Sequence, residues 1–265
     1  VADYYDCYGS ANEQLRAHYL LGCAYRDLGE APQALQCYQD AIDRADTLAA
    51  DCDFYTLSRV HSQMAALLGE QMLPRQQLEE LQQQYYYAFR IQDTLCVLNA
   101  MGQMTNAYNM LEQTDSAALI AKNLVEIYTK KGYYRLAAIY SGEIAALMTK
   151  NNQGDKIKGY LNFYESRTGF FDKEGNIEKG REFYYGVKGR YFLAVCRYDS
   201  AEYYFKKEIE NAEDLNNREY AYRGLYMLYK QTGQQDSMSR YAQLAYETTD
   251  AHFQEKQSDE LRHMQ

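Results

Sequence analysis

The chain has 265 residues, 37 acidic against 28 basic, and a formal net charge of −9. No Lys/Arg cluster is long enough to form a phosphate-binding stripe, so direct binding of nucleic acid by this segment is not expected. No apolar run approaches the length needed to span a bilayer. With 2 Pro, no Trp and 29 Tyr, the composition favours helices in which tyrosine fills core space while its hydroxyl reaches water at the edge.

Residues 1–8 read as the last turns of a helix, and Gly9 to Asn12 as a turn, with Ser10 or Asn12 capping the next helix. Residues 15–46 read as two helices around Gly29. Leu21, Gly22 and Tyr25 share one face of the first, and Ala34, Tyr38 and Ala41 one face of the second. A small residue where two helices cross lets their axes approach, and the rings fill the space on either side.

The same plan continues. Residues 54–90 carry Phe54, Leu57, Val60, Met64, Ala65 and Leu68, then a second helix opened by Pro74 with Leu78, Leu81 and Tyr85. Residues 95–131 carry Met101, Met104 and Tyr108, a cap at Thr114 to Ser116, then Ala117, Ala121 and Leu124. In residues 133–167 a turn is expected at Asn151 to Gly154, followed by Ile157, Leu161 and Tyr164, with Gly159 where Ala is usual. Residues 168–179 are irregular and read as a short turn or hairpin over Glu174 to Asn176, with Phe170 and Phe171 available to plug the core. Residues 180–211 place Tyr185, Gly189 and Phe192 before a cap at Asp199 and Ser200, then Ala201 and Phe205. Residues 218–249 place Tyr222, Leu225, Tyr226 and Tyr229 before Gly233, then Met238, Ala242 and Ala245. Residues 250–265 form a polar C-terminal helix leading out of the domain. Both ends read as cut from a longer parent.

Leu21-Gly22-x-x-Tyr25, Gly29-Glu30 and Ala34-x-x-x-Tyr38-x-x-Ala41 closely resemble the tetratricopeptide-repeat pattern. The resemblance implies an all-α, right-handed superhelix (α-solenoid) of about six tetratricopeptide-like hairpins over the whole chain. The counterparts of Tyr25 are Leu68, Tyr108, Phe192 and Tyr229. They recur at intervals wider than the usual repeat of about 34 residues, so longer helices or connections are implied. More narrowly, residues 164–191 followed by Tyr198-Asp-Ser-Ala-Glu-Tyr-Tyr-Phe205 look like the sensor or scaffold regions of membrane-tethered bacterial proteins. That likeness implies an extracytoplasmic or periplasmic domain, tethered through the parent chain beyond Gln265, with a cytoplasmic location as the alternative.

No phosphate-cradling glycine motif and no G-x-S-x-G elbow is present. His18 and His61 come with no identifiable nucleophile and read as helix-face histidines. Cys7, Cys23, Cys37, Cys52, Cys96 and Cys196 form no C-x-x-C pair and read as packed thiols; Cys23 and Cys37 lie on facing helices, where geometry decides. Glu260-x-x-His263 has the spacing of a carboxylate-bridged metal pair but occurs once, where such a site needs two. Asp172, Glu174, Asn176 and Glu178 alternate like a calcium loop, yet Ile177 and Phe183 stand where the loop needs Gly and Glu. Turn chemistry explains them. No catalytic, cofactor or metal site is therefore expected.

In the resembling family, peptides dock in the groove lined by first helices. By register from the first unit, inner positions are Tyr19, Cys23 and Arg26. Their counterparts are Asn106 and Asn109, then Gly186 and Arg190, then Arg223, Met227 and Lys230. Asn can grip a peptide backbone, and Arg or Lys a carboxylate. The Lys/Asn set that clamps a terminal carboxylate in chaperone-binding members is not reproduced. The expectation is a non-enzymatic protein- or peptide-binding module; the alternative is a self-association domain working through tyrosine-rich faces or open terminal helices.

Overall fold

The computed structural model describes residues 2–149, 154–166 and 168–263. Among them are thirteen α-helices: α1 (Ala2–Tyr8), α2 (Ala11–Asp27), α3 (Ala31–Arg44), α4 (Phe54–Glu70), α5 (Pro74–Arg90), α6 (Thr94–Met110), α7 (Thr114–Lys130), α8 (Tyr134–Thr149), α9 (Gly154–Ser166), α10 (Phe183–Ala194), α11 (Tyr198–Asn211), α12 (Leu215–Thr232) and α13 (Gln235–His263). The expected turn at residues 151–153 lies outside the described residues, as do Arg167 and Gln265. The chain divides into two compact units, Val1–Leu124 and Val125–Gln265, and the division falls within α7. In the first unit α2 packs on α3, α4 on α5, and α5 on α6. In the second, α8 packs on α9, α10 on α11, and α12 on α13. This is the all-α helical-repeat fold that the resemblance implies.

One turn joins most of these helices. A residue at the helix end adopts positive φ at Gly29, Met72, Gln92, Glu112, Gly132, Cys196 and Gly233; Gly233 is itself the C-cap of α12, whereas Gly29, Met72, Gln92, Glu112 and Cys196 follow theirs. The next N–H then reaches back five residues, as from Glu30 to the Tyr25 carbonyl, Leu73 to Leu68, Gln113 to Tyr108, Arg197 to Phe192 and Gln234 to Tyr229. This satisfies carbonyls that the helix end leaves open. The recurring large residue, Tyr25 and its counterparts, is thus the acceptor at five of the seven turns; Ala88 and Tyr128 accept at the other two. Four of the seven turns hold a non-glycine residue there, at a cost of about 1 kcal/mol or more each.

Counting from Gly29 and from Cys196, the position seven before the turn faces the position nine after it, a glycine against a ring. Gly22 meets Tyr38, and a Cβ on Gly22 would lie 2.5 Å from Tyr38 Cε1. Gly189 meets Phe205, where the same Cβ would lie 2.7 Å from two ring carbons. At these positions α4 and α5 carry Ala65 and Leu81, and α6 and α7 Thr105 and Ala121. Gly142 of α8 faces Tyr164 of α9 in the same manner, with a Cβ 3.1 Å from the ring. Tyr38 and Phe205 are fully buried, so each glycine is where a second-helix ring presses closest.

The ends are set by side chains. Ser10, not Asn12, caps α2, and Glu13 closes the capping box with its carboxylate on the Ser10 N–H. Asn12 instead donates to the Asp51 carbonyl and accepts from the Asp53 N–H, tying α2 to the connection before α4. Asp53, Asp93 and Asp214 cap α4, α6 and α12, and Pro74 opens α5. Asp199 and Ser200 prove to lie inside the first turn of α11, whose N-cap is Arg197. The last hairpin also departs from expectation. Ala242 is exposed, because Tyr241 supplies the packing by resting against Tyr222 and Tyr229 at 6.2 and 5.4 Å. Gly159 meets nothing within 4 Å, so it serves no crossing; Ile157, Leu161 and Tyr164 form the buried stripe of α9. Residues 250–263 continue α13 without a break.

Residues 168–179 form the expected hairpin. Phe171 and Ile177 make an antiparallel bridge, Gly175 takes the left-handed position, and Phe170 is 1% exposed. Arg135 and Arg181 lie over the Phe170 ring at 4.4 and 4.2 Å.

Gly189→Ala should destabilise the protein by about 1–3 kcal/mol through overpacking. Phe205→Leu in the same chain should recover part of that loss, so a double-mutant cycle in urea should give a coupling of about 1 kcal/mol; strict additivity would contradict the reciprocal crossing.

Candidate peptide-binding walls of the first helices

In the first unit α2 packs beside α4, and α4 beside α6, so first helices stand next to first helices. Tyr19 and Arg26, both half-buried, project from α2 toward α4. The Arg59 guanidinium donates through Nε to the Tyr19 hydroxyl at 3.1 Å and through Nη1 to the Tyr55 hydroxyl at 3.2 Å. Arg26 donates to the Gln63 amide oxygen and pairs with Asp27 at 2.6 Å. Asn106 and Asn109 are exposed on α6, a helix without a single charged residue. Cys23 is half-buried and its sulfur accepts from the Tyr38 hydroxyl at 3.6 Å. Sequence reasoning missed Arg59 and Gln63. They occupy no position equivalent to Tyr19 or Arg26, but face those residues from the neighbouring helix.

In the second unit α10 packs beside α8 and α12. Arg190 is half-buried, lies 5.0 Å from the Tyr220 ring centroid, and donates through Nη1 to the Met227 sulfur at 2.6 Å. Arg190 and Met227 are both counterparts of Cys23, so the register has brought equivalent positions of adjacent helices into contact. Arg223 is exposed and paired with Glu219 at 2.6 Å. Lys230 is exposed, 5.9 Å from the Tyr226 ring centroid. Gly186, expected on the open wall, is buried instead: its bare backbone makes room for the Glu208 carboxyl and the Tyr220 ring.

Glu208 is a second feature that the pattern does not reveal. It is 0% exposed, and neither carboxyl oxygen has a hydrogen-bond partner among the described residues. Burial pushes its pKa up to about 9, with Asp214 adding to the rise and Arg190 opposing it. At neutral pH the group is therefore protonated. Burial also lifts Glu143 to about 7.

The weighed histidines and the Asp172 turn each find a structural use. His18 Nε2 lies 2.9 Å from Asp6; Asp6 also takes two hydrogen bonds from Arg44, and these first, with His18, lower its pKa to about 2. His61 lies 2.6 Å from Glu80 and stacks on Tyr87. All six cysteines are free thiols. The Asp172 carboxylate accepts the backbone N–H groups of Asn176 and Glu174 at 2.8 and 2.9 Å, and the Asn176 bond foremost holds its carboxyl below the usual range. No group of three or more His, Cys, Asp or Glu among the described residues could hold a metal ion. The Glu260 and His263 side chains lie outside what is described. A cleft of about 360 Å³ does open beside the hairpin, lined by Phe170, Phe171, Ile177 and Arg135 among others. Its charged groups are engaged, Arg135 with Glu178 at 2.5 Å and Asp172 within the turn.

No family model and no curated protein sequence matches the chain. Solved structures do. BtubC (BKLC) from P. vanneervenii superposes with a TM-score of 0.54 at 16% identity, over 90% of this chain and 92% of that one. A Podosopora anserina protein with nearly identical TPR-like repeats gives 0.56 at 15%, over 74% and 94%. The fold is that of tetratricopeptide-like repeats. PilF of Pseudomonas aeruginosa gives 0.52 at 13%, over 94% and 99%. Among the described residues no helix is long and apolar enough to cross a membrane.

Because Glu208 is protonated in the folded chain and ionised above pH about 4.5 when unfolded, its contribution is fully present below that pH and lost as pH rises toward 9. Glu143 acts with the same sign up to about 7. Urea midpoints of the wild type should fall through pH 9, whereas those of Glu208→Gln should level off above pH 7. Parallel curves would show Glu208 to be ionised in the fold.

Proposed function

We infer that the chain is a non-enzymatic protein- or peptide-binding module that holds its partner along the first-helix walls. The observation that carries this reading is side-by-side placement: Tyr19 with Arg59, Arg26 with Gln63, and Arg190 with Met227 each join neighbouring first helices. A row of donors across adjacent helices suits an extended backbone with side chains set between them. His18, His61, Asp172 and Glu178 are each tied to a structural partner, which favours binding over catalysis. A place as sensor or scaffold in a membrane-tethered bacterial parent, with an extracytoplasmic location, belongs to the same reading and is supported by the resemblance of residues 164–191; fractionation of the native gene product tests it.

The test of the wall is positional. A photocrosslinking amino acid at Asn106 or Met227 should capture short peptides selected on the full chain from a random display library. The same group at Tyr86 or Tyr203, exposed on second helices, should not. Capture confined to positions 86 and 203 would end the reading.

The exposed rings of Tyr85, Tyr86 and Phe89 on α5, Tyr85 stacked with Phe89 at 6.2 Å, favour a second reading, self-association. Sedimentation showing a monomer at high concentration would remove it.

A further inference from the structure

Charge is not spread evenly over the helices of the second unit. α10 carries Lys188 and Arg190 and no acid, and α12 carries Arg218, Arg223 and Lys230 against Glu219 alone, in a chain whose net charge is −9. Lys188 is paired with Glu165 and Arg223 with Glu219, and the N-caps Glu182 and Asp214 are acids, so what α10 and α12 retain is a small local excess of cations, with Arg190 and Lys230 in no ion pair among the described residues.

Arg190 is the centre of that excess, and its bonding is incomplete. It forms no ion pair among the described residues, its buried Nε has no hydrogen-bond partner, and its Nη1 faces a thioether, which is a weak acceptor. A guanidinium has five donors in a planar fork matched to a carboxylate, and here its Cζ lies 5.0 Å from the Tyr220 ring centroid. The nearby Glu208 does not neutralise it, because that carboxyl is enclosed against Gly186 and carries its proton at neutral pH.

Arg223, Met227 and Lys230 follow one another at the i, i+4 and i+7 positions of α12, so they share a stripe. The stripe spans about 10 Å. Lys230 makes no ion pair among the described residues and lies over the Tyr226 ring. The wall thus offers cations at both ends of the stripe, a third at its middle where Arg190 meets Met227, and apolar surface between them.

We propose that the wall of α10 and α12 takes acidic peptide segments, with Arg190, Arg223 and Lys230 receiving side-chain carboxylates and Met227 and Tyr226 the apolar residues between. This names the ligand class for the wall and rests on the peptide-binding reading. Charge complementarity selects the occupant: the wall keeps a local excess of cations within an acidic chain. Three separated cations, one paired with Glu219, make too short a stripe for a nucleic-acid backbone.

The test uses the full chain and a random library of short, end-blocked peptides, so that no terminal carboxylate contributes. Recovered peptides, labelled and titrated by fluorescence anisotropy, should be enriched in Asp and Glu. They should bind about tenfold or more weakly to Arg190→Gln and to the Arg223→Gln/Lys230→Gln double variant. Arg223 and Lys230 are exposed, so the double variant keeps the fold even if Arg190→Gln does not. Lys188→Gln should bind normally, since Lys188 is turned toward Tyr204 and Glu165. Neutral or basic peptides that still crosslink at position 227 would overturn the acidic ligand while leaving the wall reading intact. Acidic peptides indifferent to all three substitutions, or displaced by oligouridylate that itself binds the wall, would overturn it too. Peptides that crosslink only to second helices, or a library that yields no binder, would remove both.

Discussion

A glycine on one helix facing an aromatic ring on the next decides how closely a hairpin can close, and the rest of the molecule depends on that distance. Gly22 under Tyr38 and Gly189 under Phe205 leave no room for a methyl group. Where the first helix carries something larger, the second gives way, as Ala65 with Leu81 or Thr105 with Ala121. The sum of the two side chains is held within bounds while each member varies, as expected of interiors packed to crystal density. Phe205 shows how this links hairpins: the same ring that lies on Gly189 of α10 also lies on Gly224 of α12. One side chain therefore sets the spacing of three helices.

That close spacing also fixes what the open face of each unit can present. With the second helices behind, the first helices stand beside one another and their outward residues meet in rows. Arg59 is held between two tyrosine hydroxyls and Arg190 against a tyrosine ring, neither in an ion pair among the described residues. Tyrosine thus orients these cations without neutralising them. Glu208 is the counterpart inside: the crossing at Gly186 accommodates a carboxyl in its neutral form, and the fold bears a pH-dependent cost for it.

The hairpins were legible in the sequence wherever small and aromatic residues kept step, most plainly around Gly22 and Tyr38. Leu68, which breaks the aromatic series, still marks its turn because the role of that position is to offer a backbone carbonyl. Less legible was whatever depends on the neighbouring helix. Arg59 and Gln63 gain their place from α2 and not from their own register. Gly186 looks like an open wall position until Glu208 is seen filling the space beside it. Asp199 resembles a cap by residue type, but the turn at Cys196 puts the cap of α11 at Arg197, two residues earlier. Ala242 keeps its register and loses its burial because Tyr241 does the packing.

The left-handed turns at Met72, Gln92, Glu112 and Cys196 carry one more implication. Their geometry is imposed by main-chain hydrogen bonds, so the side chain at each corner is free to be long, charged or sulfur-bearing, and the glycine that usually announces such a corner can be dispensed with. A solenoid built this way stores its plan in paired volumes and backbone valence more than in particular letters. Two such chains can share a shape while spelling it differently, as the superposition on BtubC at 16% identity illustrates.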